Sequence, residues 1–161
     1  MIHHAEMTGA SEPDAGAIAG DTHTRLERVY FEHTDFSGVV YHARYLDFLE
    51  HARSDYVRLL GVRHADLAGR GLAFAVHRME IEFRGAARID DVLRVETDRG
   101  TLQGARLTFE QRILREDALI LHARVAVVLV SPEGRPKRFP RDVIEMLGVR
   151  RPGDSDGSAR V

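Results

Sequence analysis

One carboxylate, one glycine and the start of a long amphipathic helix follow each other in the stretch Arg28-Val-Tyr-Phe-Glu-His-Thr-Asp-Phe-Ser-Gly-Val-Val-Tyr-His-Ala-Arg-Tyr45. The order sets Asp35 beside the free backbone N–H groups and positive dipole end of a helix N-terminus. Such a pair could attack a carbonyl, or activate water against it, while the N–H groups stabilise the developing oxyanion. Asp before a helix is often only a cap, but Asp35 stands seven residues before His42, too far to cap that helix. His42, in the first helical turn, brings an imidazole that titrates near neutral pH, and a backbone N–H whatever its ring does. Gly38 permits a backbone that a Cβ would obstruct and lets a substrate come close.

Other chemistries find less support. There are no cysteines, which excludes disulfides, thiolate catalysis and Cys-based zinc sites, and fits a cytoplasmic home. Asp47 and His51 lie one helical turn apart, and His33 alternates with Asp35. Spacing offers them no third ligand and no His-Glu-x-x-His pattern, so neither metal nor other cofactor is expected. His77 falls on the inner face of a strand and reads as a hydrogen-bonded interior histidine. A net charge of -2 gives no reason to expect nucleic acid or an anionic membrane as partner. No apolar run is long enough for a signal peptide core or for membrane insertion.

The elements that must position Asp35 are read from periodicity. Residues 1–24 and 150–161 are polar, small and Gly-rich, and are expected to be disordered tails around one folded body, 25–149. Leu26 to Phe31 reads as a first strand. Ala43 to Leu60 reads as a helix about 27 Å long, ended by Gly61; Tyr45, Phe48, Leu49, Ala52, Tyr56, Leu59 and Leu60 recur on one face. Tyr45 and Phe48 are expected in the core. Ala73 to Phe83, Asp91 to Asp98, Ala105 to Ile113 and Ala118 to Val130 then alternate with period two, with a hairpin connection at Gly100 to Gly104 and a short helix from Pro140 to Leu147 at the end. Val125 to Val130 is apolar on both faces, as in a central strand. The prediction is an α+β domain: four strands in an antiparallel meander join the first strand in a sheet wrapped around one long central helix.

Thr34-Asp-Phe-Ser-Gly-Val-Val-Tyr-His-Ala-Arg-Tyr45 resembles the Asp-x-x-Gly-x-Val-x-x-x-x-Tyr signature of the 4-hydroxybenzoyl-CoA thioesterase family, and is most similar to its Tol–Pal-associated branch. Glu80-Ile-Glu-Phe-Arg-Gly-Ala-Ala-Arg-Ile-Asp-Asp-Val-Leu93 is similar to that family's second and third strands. The resemblance implies a hot-dog fold and an acyl-CoA thioesterase. It maps Asp35 onto the acid that attacks the thioester or activates water, and His42 onto the helix-start donor. Gly38, Val39 and Tyr41 then lie along the substrate. It also implies a homodimer or homotetramer with active sites between subunits, and acyl-CoA or an acyl carrier protein as the donor. Arg84, Arg88 and Lys137, the last within Arg135-Pro-Lys-Arg138, are candidates for the phosphates of coenzyme A. The branch often has Tyr four residues before the motif Asp. Here that position is Phe31, with Tyr30 expected on the opposite face.

Two rival readings remain at this point. A hot-dog hydratase or dehydratase would need an acid–base pair such as His42 with Asp35. A non-catalytic acyl-thioester-binding module would survive Asp35→Asn without loss.

Overall fold

Polar residues occupy the inward positions of the first strand and hide where it begins. A computed structural model describes residues 13–154, and in it β2 (Thr22–Arg28) pairs with β1 (Ala17–Ala19) across a tight Gly20-Asp21 turn. Residues 17–24, expected in the tail, therefore belong to the sheet region, and β2 ends at Arg28 rather than Phe31. The reason is His23. It is fully buried, stacks on Tyr56 with ring centroids 5.5 Å apart, and sets Nε2 2.7 Å from the Ala15 carbonyl, whereas Leu26 is exposed. A strand whose buried residue is imidazole does not read as apolar alternation. Residues 1–12 lie outside the described residues. Arg150, expected in the other tail, is also fastened to the body. Arg150 N–H donates to Gly100 O at 2.8 Å, its own carbonyl accepts from Leu102 N–H at 2.8 Å, and its guanidinium meets Asp21 at 2.5 Å. Residues 155–161 lie outside the described residues.

Helix α1 (Arg44–Leu59) buries Tyr45, Phe48, Leu49, Ala52, Tyr56 and Val57, together with Arg53, while Leu59 faces solvent. It stops where Gly61 takes a left-handed φ of +96°. Val62 N–H then reaches Val57 O at 2.9 Å and Gly61 N–H reaches Arg58 O at 3.0 Å, satisfying the last carbonyls. A short α2 (His64–Gly69) follows.

The remaining strands are β3 (Ala73–Phe83), β4 (Val92–Asp98), β5 (Thr101–Gln103), β6 (Arg106–Arg115), β7 (Ala118–Val130) and β8 (Pro136–Lys137), before α3 (Arg141–Leu147). All pairs are antiparallel, in the order β1-β2-β4-β6-β7-β3, with β5 on β6 and β8 on β7. The meander is thus confined to β4, β6 and β7. β3 pairs with β7 at one edge, because alternation encodes which face a side chain takes, not which strand lies beside it. The chain returns from β3 to β4 through 84–91, tied down by Arg84 and Gly85 N–H groups that both donate to Ile120 O, at 2.9 and 3.1 Å.

β3 also breaks its own alternation. The register against β7 shifts between Val76 and Arg78, so Phe74 packs on the core in the first half and Met79 and Ile81 in the second. His77, at the irregularity, is exposed, which corrects its reading as an interior histidine. Tyr45, Phe48, Leu49 and Ala52 of α1 meet Leu93, Val95, Ile113 and Leu121 of the sheet in one core.

Candidate active site

Asp35 stands on a strap, 30–43, that runs from the end of β2 to the start of α1. Tyr30 leads into a 3₁₀ turn, Phe31–His33, instead of extending the strand, and both Tyr30 and Phe31 are exposed. His33 braces the strap from beneath. It is buried, meets Phe48 edge-on at 4.9 Å, accepts Tyr30 N–H on Nδ1 at 2.9 Å, and offers its carbonyl to Tyr41 N–H at 2.9 Å. Between His33 and Tyr41 the chain makes a small hairpin. Thr34 bridges Val40, Asp35 N–H donates to Val39 O at 3.0 Å, and Gly38 N–H donates to Asp35 O at 3.0 Å. Gly38 closes it with φ +78°, a conformation other residues resist. No heavy atom lies within 4 Å of where its Cβ would be, so its surroundings are open.

At the hairpin tip the Asp35 carboxylate is held by its neighbour two residues on. Ser37 Oγ–H donates to Oδ1 at 2.5 Å and Ser37 N–H donates to the same oxygen at 2.8 Å. These bonds, the hydroxyl first, hold the Asp35 carboxyl below its ordinary range, so it is ionised at neutral pH. Sequence reasoning passed over Ser37. An Asp with a hydroxyl residue at i+2 is a known local turn, and that spacing was the available signal. It also assigned no bracing role to His33.

The strap is fastened to the 84–91 connection. Val40 N–H donates to Ala87 O at 2.8 Å, Val39 bridges Arg88, and Ala87 N–H donates to the Tyr45 hydroxyl at 3.0 Å. Beyond Val40 the chain turns into α1 with Arg44 N–H on Tyr41 O at 2.8 Å and Leu46 N–H on Ala43 O at 3.1 Å. Among the described residues, the His42 and Ala43 N–H groups have no acceptor. They are donors at the positive end of a 16-residue helix.

Asp35, Gly38, Val39, Tyr41 and His42 therefore share one strap. The His42 ring lies over Tyr41, centroids 4.6 Å apart, and edge-on to Phe83 at 6.4 Å. Among the described residues no hydrogen bond or ion pair joins it to Asp35. Asp47 instead pairs with Arg44 at 3.2 Å and His51 with Glu27 at 3.4 Å, and no metal-binding group of three forms among the described residues. The three phosphate candidates separate. Arg88 borders the strap through Val39. Arg84 is paired with Glu82 at 3.2 Å. Lys137 sits opposite Leu129, whereas the Arg84 end of β3 sits opposite Leu121, about 26 Å away along β7. One chain does not gather them into a single phosphate site.

A family profile described as the thioesterase-like superfamily matches residues 29–147. The chain belongs to the thioesterase-like superfamily. The match begins at Val29, where the strap leaves β2, and closes at Leu147, the end of α3. This thioesterase is similar to the acyl-CoA thioesterase YbgC of Haemophilus influenzae, 43% identical over 118 residues that cover 72% of this chain and 87% of that one. It is also similar to the acyl-CoA thioester hydrolase YbgC of Escherichia coli O157:H7, 39% identical over 119 residues, 73% of this chain and 89% of that one. Among solved structures, a probable thioesterase from Bartonella henselae is 44% identical, with a TM-score of 0.71 over 74% of this chain and 99% of that one. The 4-hydroxybenzoyl CoA thioesterase from Pseudomonas sp. strain CBS-3 has the same fold, at TM-score 0.73 and 22% identity, covering 79% of this chain and 99% of that one.

Proposed function

We propose that this thioesterase hydrolyses acyl-CoA, with Asp35 attacking the thioester carbon or activating the water that does so, and with the N–H groups of His42 and Ala43 binding the oxyanion. The observation that carries the reading is an ionised carboxylate, clamped by Ser37, on a strap that ends at a helix N-terminus with two free donors. Relatives named as acyl-CoA thioesterases or thioester hydrolases, at 43% and 39% identity, support the substrate class.

In the nucleophilic form, a carboxylate oxygen bonds to the acyl carbon and the carbonyl pair moves onto oxygen, where each backbone donor contributes about 3 kcal/mol. Collapse breaks the C–S bond and releases coenzyme A as thiolate. Water then hydrolyses the mixed anhydride and restores Asp35. In the base form, Asp35 takes the proton of the water as it adds. A carboxyl held below its ordinary range is ionised and available in either form. The thiolate leaves without a general acid, so the site needs no second acid.

Coenzyme A, rather than a carrier protein, is the proposed donor, with Arg88, which borders the strap through Val39, the candidate for its phosphates. Val39 and Tyr41 would line the path of the thioester. The proposed assembly is a homodimer. Phe31, Phe36, Tyr41 and Phe83 leave apolar surface open around Asp35, and β3 is a long strand with a free edge. The proposed compartment is the cytoplasm. Among the described residues no helix is long and apolar enough to cross a membrane.

The test is thiol release from short, medium, long and aromatic acyl-CoAs, read with a thiol-reactive dye to which the cysteine-free chain adds no background. Turnover by the wild type, reduced by about 10²- to 10⁴-fold in a folded Asp35→Asn variant, is the expected result. A variant that keeps wild-type turnover would remove Asp35 from the mechanism. Turnover only with acyl carrier protein would replace the donor.

A further inference from the structure

Asp35 lies on one leg of the strap hairpin, the oxyanion donors follow the other, and one residue is bonded at both ends of the strap. His33 stands two places before Asp35. Its carbonyl accepts Tyr41 N–H at 2.9 Å, one place before the His42 donor. Its N–H donates to Tyr30 O at 3.0 Å and its Nδ1 accepts Tyr30 N–H at 2.9 Å, so residues 30 and 33 are tied by a reciprocal pair. The ring meets Phe48, a fully buried side chain of α1, edge-on at 4.9 Å. His33 thus fixes the entry of the strap through its side chain, the exit through its main chain and the floor through its ring.

The same bonds fix the state of the ring. A nitrogen that accepts a backbone N–H carries no proton, so the imidazole hydrogen is on Nε2. Nε2 lies 3.6 Å from Glu32 Oε1, beyond hydrogen-bonding distance, and the Glu32 side chain is 73% exposed. Among the described residues no bond joins the imidazole to the Asp35 carboxylate, whose Oδ1 is held by Ser37. His33 therefore acts on the reaction only through where it holds the strap. Without the Nδ1 acceptor, the part-buried Tyr30 N–H loses its partner, and the segment leading to Asp35 is free to shift against the helix start. A misplacement of about 1 Å between reacting groups costs about 10²-fold in rate.

We propose that His33 is a positioning residue for the thioesterase reaction. Its Nδ1, by accepting Tyr30 N–H, sets the Asp35 carboxylate against the oxyanion donors of His42 and Ala43. The role rests on the functions given to those groups above. It depends on where the acceptor stands rather than on the ring as such. Asn carries an acceptor oxygen at the same remove from the backbone as Nδ1, Gln carries it one bond further out, and Leu has a similar branch without a lone pair.

The experiment is steady-state thiol release by wild type, His33→Asn, His33→Gln, His33→Leu and Asp35→Asn, with thermal unfolding and hydrogen exchange of the Tyr30 amide measured on each. His33→Gln and His33→Leu are expected to lower kcat by about 10- to 100-fold while KM stays within about twofold. The Tyr30 amide should exchange faster in both. His33→Asn should recover most of the lost kcat together with the protection of that amide. Wild-type kcat in folded His33→Gln and His33→Leu overturns the proposal, as does a loss confined to KM. So does a His33→Asn variant as slow as His33→Leu, or a slow variant whose Tyr30 amide stays protected. Unfolding of both the Gln and Leu variants at the assay temperature would make His33 a residue of folding alone, and overturns it too. Each of these results leaves the Asp35 mechanism standing where Asp35→Asn is inactive. Full turnover in Asp35→Asn overturns that mechanism first, and the positioning role with it.

Discussion

Ser37 governs the charge of the residue proposed to do the chemistry. Its hydroxyl and N–H both point at Asp35 Oδ1 and favour the ionised form. Because the Asp35 carboxyl is held below its ordinary value of 3.8, activity that needs the carboxylate persists above that value and fails only as pH falls through the depressed pKa. Ser37→Ala removes the largest of the causes that lower it and keeps the backbone bonds. The acid limb of the kcat/KM profile should therefore move to higher pH, with about a tenfold loss at neutral pH from a less firmly aimed carboxylate. A limb that stays in place would mean that Ser37 only shapes the turn. Asp35 and Gly38 were legible in the sequence because turn chemistry is local. The bond that tunes Asp35 was equally local. Arg53, in the same i, i+4 row as Leu49 and Val57, could have been noticed as a cation in an apolar stripe.

The β1–β2 hairpin is docked by a residue that resists protonation. His23 is fully buried against Tyr56, donates Nε2–H to the Ala15 carbonyl, and has Nδ1 without a partner among the described residues. Burial lowers its pKa, and the Ala15 bond and nearby Asp55 offset that only in part. The unfolded chain therefore takes up this proton before the folded one. The contribution of His23 to stability is complete above the ordinary value of 6.5 and declines as pH falls below it. Thermal unfolding followed between pH 8 and pH 5 should show the midpoint dropping on the acid side, and His23→Gln should flatten that drop while lowering stability at neutral pH. Helix α1 was legible because Tyr45, Phe48, Leu49, Ala52 and Tyr56 repeat at helical spacing. The start of β2 was hidden by its buried imidazole. The two halves of β3 were hidden by a register shift at His77 that no alternation rule anticipates.

At the scale of the molecule, α1 and its sheet were predictable from one long apolar stripe and several alternating segments, whereas the strand order depends on pairings far apart in sequence. The proposed homodimer would cover the apolar surface at the strap. Phe36 is fully exposed at the strap tip and Phe31 nearly so, at 81%. Phe36→Ser should leave the thermal stability of the dissociated chain unchanged. It should weaken the dimer in sedimentation at micromolar concentration and lower kcat/KM with it. Wild type that sediments as a monomer while fully active would rule out the shared site.

Asp21, in the turn before β2, accepts from Arg150 at 2.5 Å, and Arg150 is itself stitched to Gly100 and Leu102. The turn between β1 and β2 and the segment that follows α3 thus lie side by side, about 23 Å from the strap at the other end of β2. A chain so arranged can be cut and rejoined. A Gly/Ser linker from the region after Arg150 to the residues that lead into β1, with new ends opened at the exposed Glu116-Asp117 turn, would reorder the sequence without moving α1, Asp35 or Ser37.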